Sequence, residues 1–413
     1  MLKGEVSGMR LRRIRQGLLI LALGLLGFGV GAIAPPPAAL ETGGNLTPSL
    51  PDEQPQSQYP FEPLVELTVC PEGPPTCQFK RIQDAIDAAP DTGPIELGES
   101  WDKAVPKPKI PLIHIAPGTY VENLVIFKNV WLQGEGKELV TLRGSQEGPA
   151  ATRPTIFIAG SNSLGIGIEG LTIEGGLQIV GWVNGYIANN IFKGDALDTG
   201  DIVLMGTLAK LAIVANSFIG GKRGIYLKGV LVAPGSFSSL MTSVVIYRNT
   251  IYGAEEDGIE MFYSGGVEII SNRIYKNGKI GIQIWHSSGI TISNNILEEN
   301  AGAIYSHTCD EVEIVMNRIE GHKGDAVFLL SGDYTIEENQ ILNNGGMGLD
   351  VFGLARYRRI VRIVENTIAH NKTYGLNLLG DLEIIKECRD NQIFDNGTDY
   401  SSEELRKKCK GNR

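Results

Sequence analysis

The chain has 413 residues, with 47 acidic against 37 basic side chains and a formal net charge of −10. That balance argues against nucleic acid and against an anionic membrane surface as partners. No window between about 150 and 395 sustains a 3.6-residue period, which excludes leucine-rich and helical repeat arrays.

Residues 3–15 carry Lys3, Arg10, Arg12, Arg13 and Arg15 against one acid, Glu5, and an apolar run from Gly17 to Ala34 follows. This is the layout of an export signal. Cleavage after Ala34 would set Pro35 beside the cut, so Val30-Gly31-Ala32 is the better site. The run is also just long enough to span a bilayer, so residues 1–34 read as a signal peptide or an N-terminal anchor. Any membrane contact would come through this segment alone. Its removal takes away five positive charges and one negative, leaving a body of −14. Either way the expected location is extracytoplasmic.

Residues 35–69 are rich in Pro, Gln, Ser and Thr without periodicity and read as a tether, flexible over about its first 25 residues. The domain proper is expected over 70–413. Five cysteines suit an oxidising compartment. Cys70 and Cys77 flank a short loop that a disulfide would close, and Cys388 with Cys409 would pin the C-terminal segment. Cys309 is left over and fits a small buried group.

Phe79, Ile82, Ala85, Ile86 and Ala89 form one apolar face of a helix expected at about 79–89, suited to plugging the first coil of a repeat array. The array follows. An Asn-x-(Ile/Phe) phrase begins at Asn189, Asn216, Asn249, Asn272, Asn294, Asn317, Asn339, Asn366 and Asn391, at gaps of 27, 33, 23, 22, 23, 22, 27 and 25 residues. A period in the low twenties marks a solenoid whose coils bury their apolar rows against one another. Segments such as Gly281-Ile282-Gln283-Ile284-Trp285-His286 and Ile290-Thr291-Ile292-Ser293 alternate with period two and read as short strands. Three such strands per coil, stacked in parallel about 4.8 Å apart, make an all-β parallel β-helix.

The asparagines suit tight bends and can stack as ladders along the axis. A second polar row lies five residues on, at Asn277, Glu299, His322, Asn344, Asn371 and Asn396. Both rows read as turn structure. Past the last coil, Ser401-Ser402-Glu403-Glu404 reads as a capping box opening a short helix at about 402–410.

Longer repeats place insertions at 194–210, 228–243, 252–257 and 353–361. Counting from the coil-opening glycines, Glu260, Gln283, Asp350 and Asn377 form one outward row, and Phe262, Trp285, Phe352 and Leu379 the next. Rings beside carboxylates and amides are what a polysaccharide partner needs, so Phe262, Gln283, Trp285, Phe352 and Asn377 are substrate-binding candidates. The plainer alternative has the rings packing beneath the insertions.

Glu260, Asp257 and Asp350 are the catalytic candidates, since glycoside hydrolysis uses two carboxyl groups about 5–10 Å apart. Glu255 and Glu256 lie beside them, and Asp195, Asp198 and Asp201 cluster earlier. Such loop acids also suit solvent or a loosely bound calcium ion. A lyase or epimerase would need basic groups, for which Lys279 and Arg356, Arg358, Arg359 and Arg362 are available, the arginines also reading as a solvated face. His286 and His307 each follow a coil-opening glycine by five residues, with Cys309 two beyond, so together they are candidate copper or zinc ligands. They also fit as members of a stack at a strand end. His114, His322 and His370 read as structural.

These repeats, with Phe79-Lys80-Arg81-Ile82-Gln83-Asp84-Ala85-Ile86 and Ile113-His114-Ile115-Ala116-Pro117-Gly118-Thr119-Tyr120, resemble the right-handed parallel β-helix superfamily, the pectin-lyase-like fold. In style the chain is similar to CASH-domain and NosD-like β-helix proteins over about 78–396. The resemblance implies a right-handed single-stranded parallel β-helix with an N-terminal cap helix and ligands in a groove along one outer sheet. It implies sugar binding or processing by a hydrolase, lyase or epimerase, and on the NosD-like side a role near a copper site. The Gln-Asp-Thr and Asp-Phe-Ile-Phe-Gly segments of pectin methylesterases and the Asp-Pro-His-Asp signature of alginate epimerases are missing. A structural or adhesive rod is the remaining alternative.

Overall fold

The computed structural model describes residues 60–95, 107–145, 154–194, 200–230, 244–353 and 360–409. The chain divides into two units, residues 1–62 with 97–108 and residues 63–96 with 109–413, and the second carries the repeats. The expected export segment, most of the tether, Asp195, Asp198, Arg356, Arg358, Arg359 and much of the insertions at 228–243 and 353–361 lie outside the described residues. Among the described residues no helix is long and apolar enough to cross a membrane.

The second unit is an all-β, right-handed parallel solenoid of about 11 turns. A typical coil runs Ile280–Trp285, Ser288–Ser293 and Ile296–Glu298, and the next repeats it as Gly302–His307, Asp310–Val315 and Arg318–Glu320. Period-two alternation turns Ile282, Ile284, Ile290, Ile292 and Leu297 inward, all at 0% exposure. Register then stacks like on like. Ile259, Ile282, Ile304, Val327, Leu349 and Leu376 form one buried column. Phe192 and Phe218 stack in the third sheet with centroids 4.9 Å apart. β-Branched side chains pack well in such columns, which is why isoleucine dominates them. The coil-opening glycines make room for the opposite wall. A Cβ on Gly258 would lie 2.7 Å from Ile274 Cγ2, and one on Gly348 would lie 2.6 Å from Ile368 Cγ2.

Two boundaries differ from the sequence expectation. The strand Glu62–Val69 pairs with Lys109–Ile115, so the solenoid begins inside the stretch whose composition reads as tether. Residues 202–210 belong to the long strand Ile202–Val214 and not to an insertion. Together with Ile156–Glu169 and Leu177–Ala188 it runs through positions that split into two strands in later coils. The first and second sheets therefore merge there.

The corners depend on polar ladders. Asn317 shows the pattern: its Nδ2 donates to Ile292 O at 2.9 Å and to Asn339 Oδ1 at 3.0 Å, while its Oδ1 accepts from Asn295 N at 2.9 Å. Repeated through Asn190, Asn216, Asn249, Asn272, Asn295, Asn317, Asn339, Asn366 and Asn391, this satisfies backbone groups that the bend takes out of the sheet. At two coils the sequence register is one residue early. Asn190 and Asn295 are the ladder members, whereas Asn189 and Asn294 precede them in the left-handed region at φ 54° and 56°. The bend itself is made by that preceding residue, which is alanine, arginine, serine or methionine at Ala215, Arg248, Ser271 and Met316. The second row corrects likewise, with Asn300 in the ladder and Glu299 before it at φ 54°.

Both ends are closed as the hydrophobic faces demand. The cap helix is Ile82–Ala88, shorter than expected, with Ile82, Ala85 and Ile86 buried. The Glu122 carboxylate accepts from Ile82 N at 2.9 Å and Gln83 N at 3.1 Å, capping a helix that has no cap of its own. At the other end the helix is Glu403–Lys408, and Ser402 Oγ accepts from Leu405 N at 3.1 Å, so the capping box is a single serine cap. Cys70–Cys77 and Cys388–Cys409 are both disulfides, with Cα–Cα distances of 6.0 and 4.5 Å.

The ladder reading separates neighbouring asparagines. Asn295→Ala should cost about 3 kcal/mol by stranding buried backbone groups, and Asn294→Ala about 1 kcal/mol, measured by chemical denaturation. His322 replaces asparagine in the second ladder, its Nδ1 accepting from Asn300 N and its Nε2 bonding Leu297 O. Burial lowers its pKa from an ordinary 6.5 to about 4. A depressed pKa gives stability that is full above the unfolded value and is lost as pH falls through the folded one, here from about 6.5 to 4. His322→Asn should remove an acid-sensitive contribution of about 3 kcal/mol from the pH dependence of unfolding.

Candidate functional site

The outward row expected from the sequence exists, and it is longer than the sequence indicates. Register runs Tyr226, Glu260, Gln283, Tyr305, Phe328, Asp350 and Asn377 through successive coils of the first sheet. Tyr305 and Phe328 were not picked out because their coils open on Ala303 and Ala326, so the glycine count skips them. Glu260, Asp350 and Asn377 face outward yet are only 7%, 5% and 4% exposed. Asn377 Nδ2 donates to Asp350 Oδ1 at 2.7 Å. Burial raises the Asp350 pKa, against the Asn377 hydrogen bond and with Asp325 adding to the rise. Tyr305 beside them is pushed up to about 12 by burial, then by Asp325 and Asp350.

The second row runs Lys228, Phe262, Trp285, His307, Leu330, Phe352 and Leu379. Its rings pack on one another. The planes of Phe262 and Trp285 are parallel within 1° with centroids 5.9 Å apart, and the Trp285 centroid lies 3.8 Å from that of His307. One broad face of the indole is thus covered by His307, and Phe262 flanks the other. The indole N–H of Trp285 is buried without a hydrogen-bond partner. Gln283, Tyr305 and His307 likewise show no side-chain hydrogen bond among the described residues.

The carboxylate candidates divide. Asp257 is 2% exposed, and its Oδ1 accepts from Ile280 N at 2.8 Å, so it closes a coil-to-coil contact. Burial raises its pKa against that bond. Glu260 and Asp350 stand four coils apart, about 19 Å at the usual strand spacing, too far to attack one glycosidic bond together. The group beside Glu260 is instead Glu256. The Arg223 guanidinium pairs with both carboxylates, and Lys279 Nζ is 3.0 Å from Glu256. Glu260 is raised by burial, partly offset by Arg223. Glu256 is also desolvated, but its bond to Lys279 and the charges of Arg223 and Lys279 outweigh this and hold it below the usual range. Two neighbouring carboxyls pushed in opposite directions was not legible beforehand, because the register of Arg223 was not.

The metal set does not converge. His286 N donates to His307 O at 2.9 Å, which places His286 opposite Thr308, while Trp285 is the residue opposite His307. The glycine count is off by one because Gly302 is opposite Ile280. His286 projects from a corner and stacks on Tyr263 at 5.2 Å. Cys309 points inward as the third member of a ladder with Ser264 and Ser287, its Sγ accepting from Ser287 N at 3.5 Å and donating to His307 O at 3.3 Å. Among the described residues no three His, Cys, Asp or Glu side chains gather as metal ligands.

Comparison with known families agrees with the coil geometry. The model described as "Right handed beta helix region" matches residues 154–341 and 258–403. The chain belongs to this right-handed β-helix family. No curated protein matches it. Among solved structures, the periplasmic alginate epimerase AlgG is 14% identical over 71% of this chain and 74% of its own, with a TM-score of 0.49. The A-module of mannuronan C-5 epimerase AlgE6 from Azotobacter vinelandii is 14% identical over 78% and 94%, at 0.44. PfbA, a surface adhesin of Streptococcus pneumoniae, is 14% identical over 70% and 83%, at 0.46.

The Arg223 group gives a direct test. Arg223→Gln leaves two partly buried carboxylates without their shared cation and should cost about 3 kcal/mol near neutral pH. Both carboxyl pKa values rise in the variant, so the deficit should shrink as pH falls and they protonate. Thermal melts of both proteins from pH 7 to pH 4 read this out.

Proposed function

We propose that this β-helix is an extracytoplasmic glycan-binding protein whose ligand lies on the outward face of the first sheet, between Glu260 and Asn377. The observation that carries the reading is the set of hydrogen-bonding groups among the rings of that face that have no partner among the described residues. These are the Gln283 amide, the Trp285 indole N–H, the Tyr305 hydroxyl and the His307 imidazole. Of these only the Trp285 N–H is buried, where an unpaired donor costs about 1–3 kcal/mol, and the other three reach the surface. Sugar hydroxyls, each both donor and acceptor, relieve that cost while the pyranose C–H groups meet ring edges. Asp350 and Asn377, already bonded to each other, present a fixed acceptor and donor at one end, and Glu260, held by Arg223, presents an acceptor at the other. Export is supported by the two disulfides, which persist in oxidising compartments.

Cleavage of the glycan is the second reading, favoured by the opposite pKa shifts of Glu260 and Glu256. Glycoside hydrolysis divides its labour between a carboxyl whose pKa is raised and a neighbour whose pKa is lowered, and the shifts of Glu260 and Glu256 run in those directions. In that reading Glu260 donates the proton to the leaving oxygen and Glu256 is the ionised partner. Glu256 thus stands where Asp257 and Asp350 were the expected partners of Glu260.

Calorimetric titration of the full chain with a panel of neutral and acidic hexasaccharides tests both. Trp285→Phe keeps an aromatic ring in the stack while removing the indole N–H and part of the ring surface, and should weaken binding about 5- to 10-fold with the fold retained by circular dichroism. Binding of the panel unaltered by Trp285→Phe and Gln283→Leu, or no binding by the wild type, overturns the assignment. Product analysis on the bound sugars separates the readings, since hydrolysis should appear in the wild type and vanish in Glu260→Gln.

A further inference from the structure

We infer that Tyr263 forms a separate sugar-stacking subsite at the edge of this face, an inference that rests on the glycan reading above. The corner residues that follow the second outward row are Gly229, Tyr263, His286 and Thr308, at φ 65°, 47°, 48° and 55°. Backbone bonds from Gly229 N to Phe262 O, Tyr263 N to Trp285 O and His286 N to His307 O place them in one column. This left-handed backbone is the ordinary corner conformation of the solenoid, shared with Ala215, Arg248, Ser271 and Met316. Tyr263 occupies it with its side chain 59% exposed, so burial in the core does not account for it.

The two faces of the Tyr263 ring differ. One lies on His286, with centroids 5.2 Å apart and planes within 14°. The other looks toward Gly229, where there is no side chain. A Cβ placed on Gly229 would meet only backbone atoms of Gly206 within 4 Å, and one on Gly206 would meet nothing. Among the described residues two successive coils therefore place no side chain above the ring, over about 10 Å at the usual strand spacing. This is the open aromatic face that Trp285, between Phe262 and His307, does not offer. A pyranose presents a face of C–H groups that stacks on such a ring, with its hydroxyls at the perimeter. Lys228 stands directly opposite Phe262, one residue before Gly229, exposed and in no ion pair among the described residues. Its ammonium is placed to donate to those hydroxyls.

The ring and the space above it can be tested separately, using the hexasaccharide of the panel that the wild type binds best. Tyr263→Ala should lower affinity about 10-fold, and Tyr263→Phe should retain it. Gly229→Asn, a residue that tolerates positive φ, places a side chain above the ring and should lower affinity to a similar degree without lowering the melting temperature. Lys228→Met should cost about 3-fold. Wild-type binding that Tyr263→Ala and Gly229→Asn leave unchanged overturns the subsite and leaves the main face standing. Failure of the wild type to bind any of the panel overturns the glycan reading and the subsite with it.

Discussion

Coil-to-coil hydrogen bonding at the corners is the constraint on which the molecule rests. A strand in a solenoid must bend three times per turn, and each bend removes backbone donors and acceptors from the sheets while keeping them buried. Asparagine meets this because its short amide presents both a donor and an acceptor. One oxygen serves the previous coil, and one N–H reaches across to a carbonyl and another to the next asparagine. The same demand is met by serine hydroxyls at Ser264 and Ser287 and by a thiol at Cys309. His322 meets it with a neutral imidazole. A column of this kind permits no slippage, since a shift of one residue would unpair every member.

Fixed register creates the outer face. Once Ile259, Ile282 and Ile304 are stacked inward, the intervening residues are forced into outward columns with the same spacing. Their chemistry is then free to vary. A run of rings and unpaired hydrogen-bonding groups occupies the middle of the face, and the carboxylates lie toward its two ends. Burial acts on those carboxylates differently according to their neighbours. Glu256 has Lys279 and half of Arg223, whereas Glu260 shares only Arg223 and is crowded by two acids. The opposite directions of the two pKa shifts come from partners supplied by adjacent coils.

Much of this was legible in the sequence. The repeat period, the inward isoleucines, both disulfides and the joining of Glu260, Gln283, Asp350 and Asn377 in one row all follow from local pattern. The misreadings are also local in origin. An Asn-Asn pair at 189–190 or 294–295 offers two candidates for one ladder position, and only burial distinguishes them. Gly302 looks like a coil opener. Its actual service is to Tyr305, whose ring lies where a Cβ on Gly302 would be, at 2.7 Å. That single displacement set His307 opposite the wrong residue and produced a metal constellation from groups that point in different directions.

By itself the sequence determined that the chain coils, how long each coil is and which residues alternate inward, because these follow from hydrophobic period and turn chemistry. Tertiary structure alone decided which coil neighbours meet: that Arg223 joins Glu256 to Glu260, that Trp285 is packed between Phe262 and His307, and that Tyr263 keeps one face open. The reason is physical. Neighbours on a solenoid's surface are separated by twenty or more residues of chain, and one extra residue in a bend moves a side chain by one whole column.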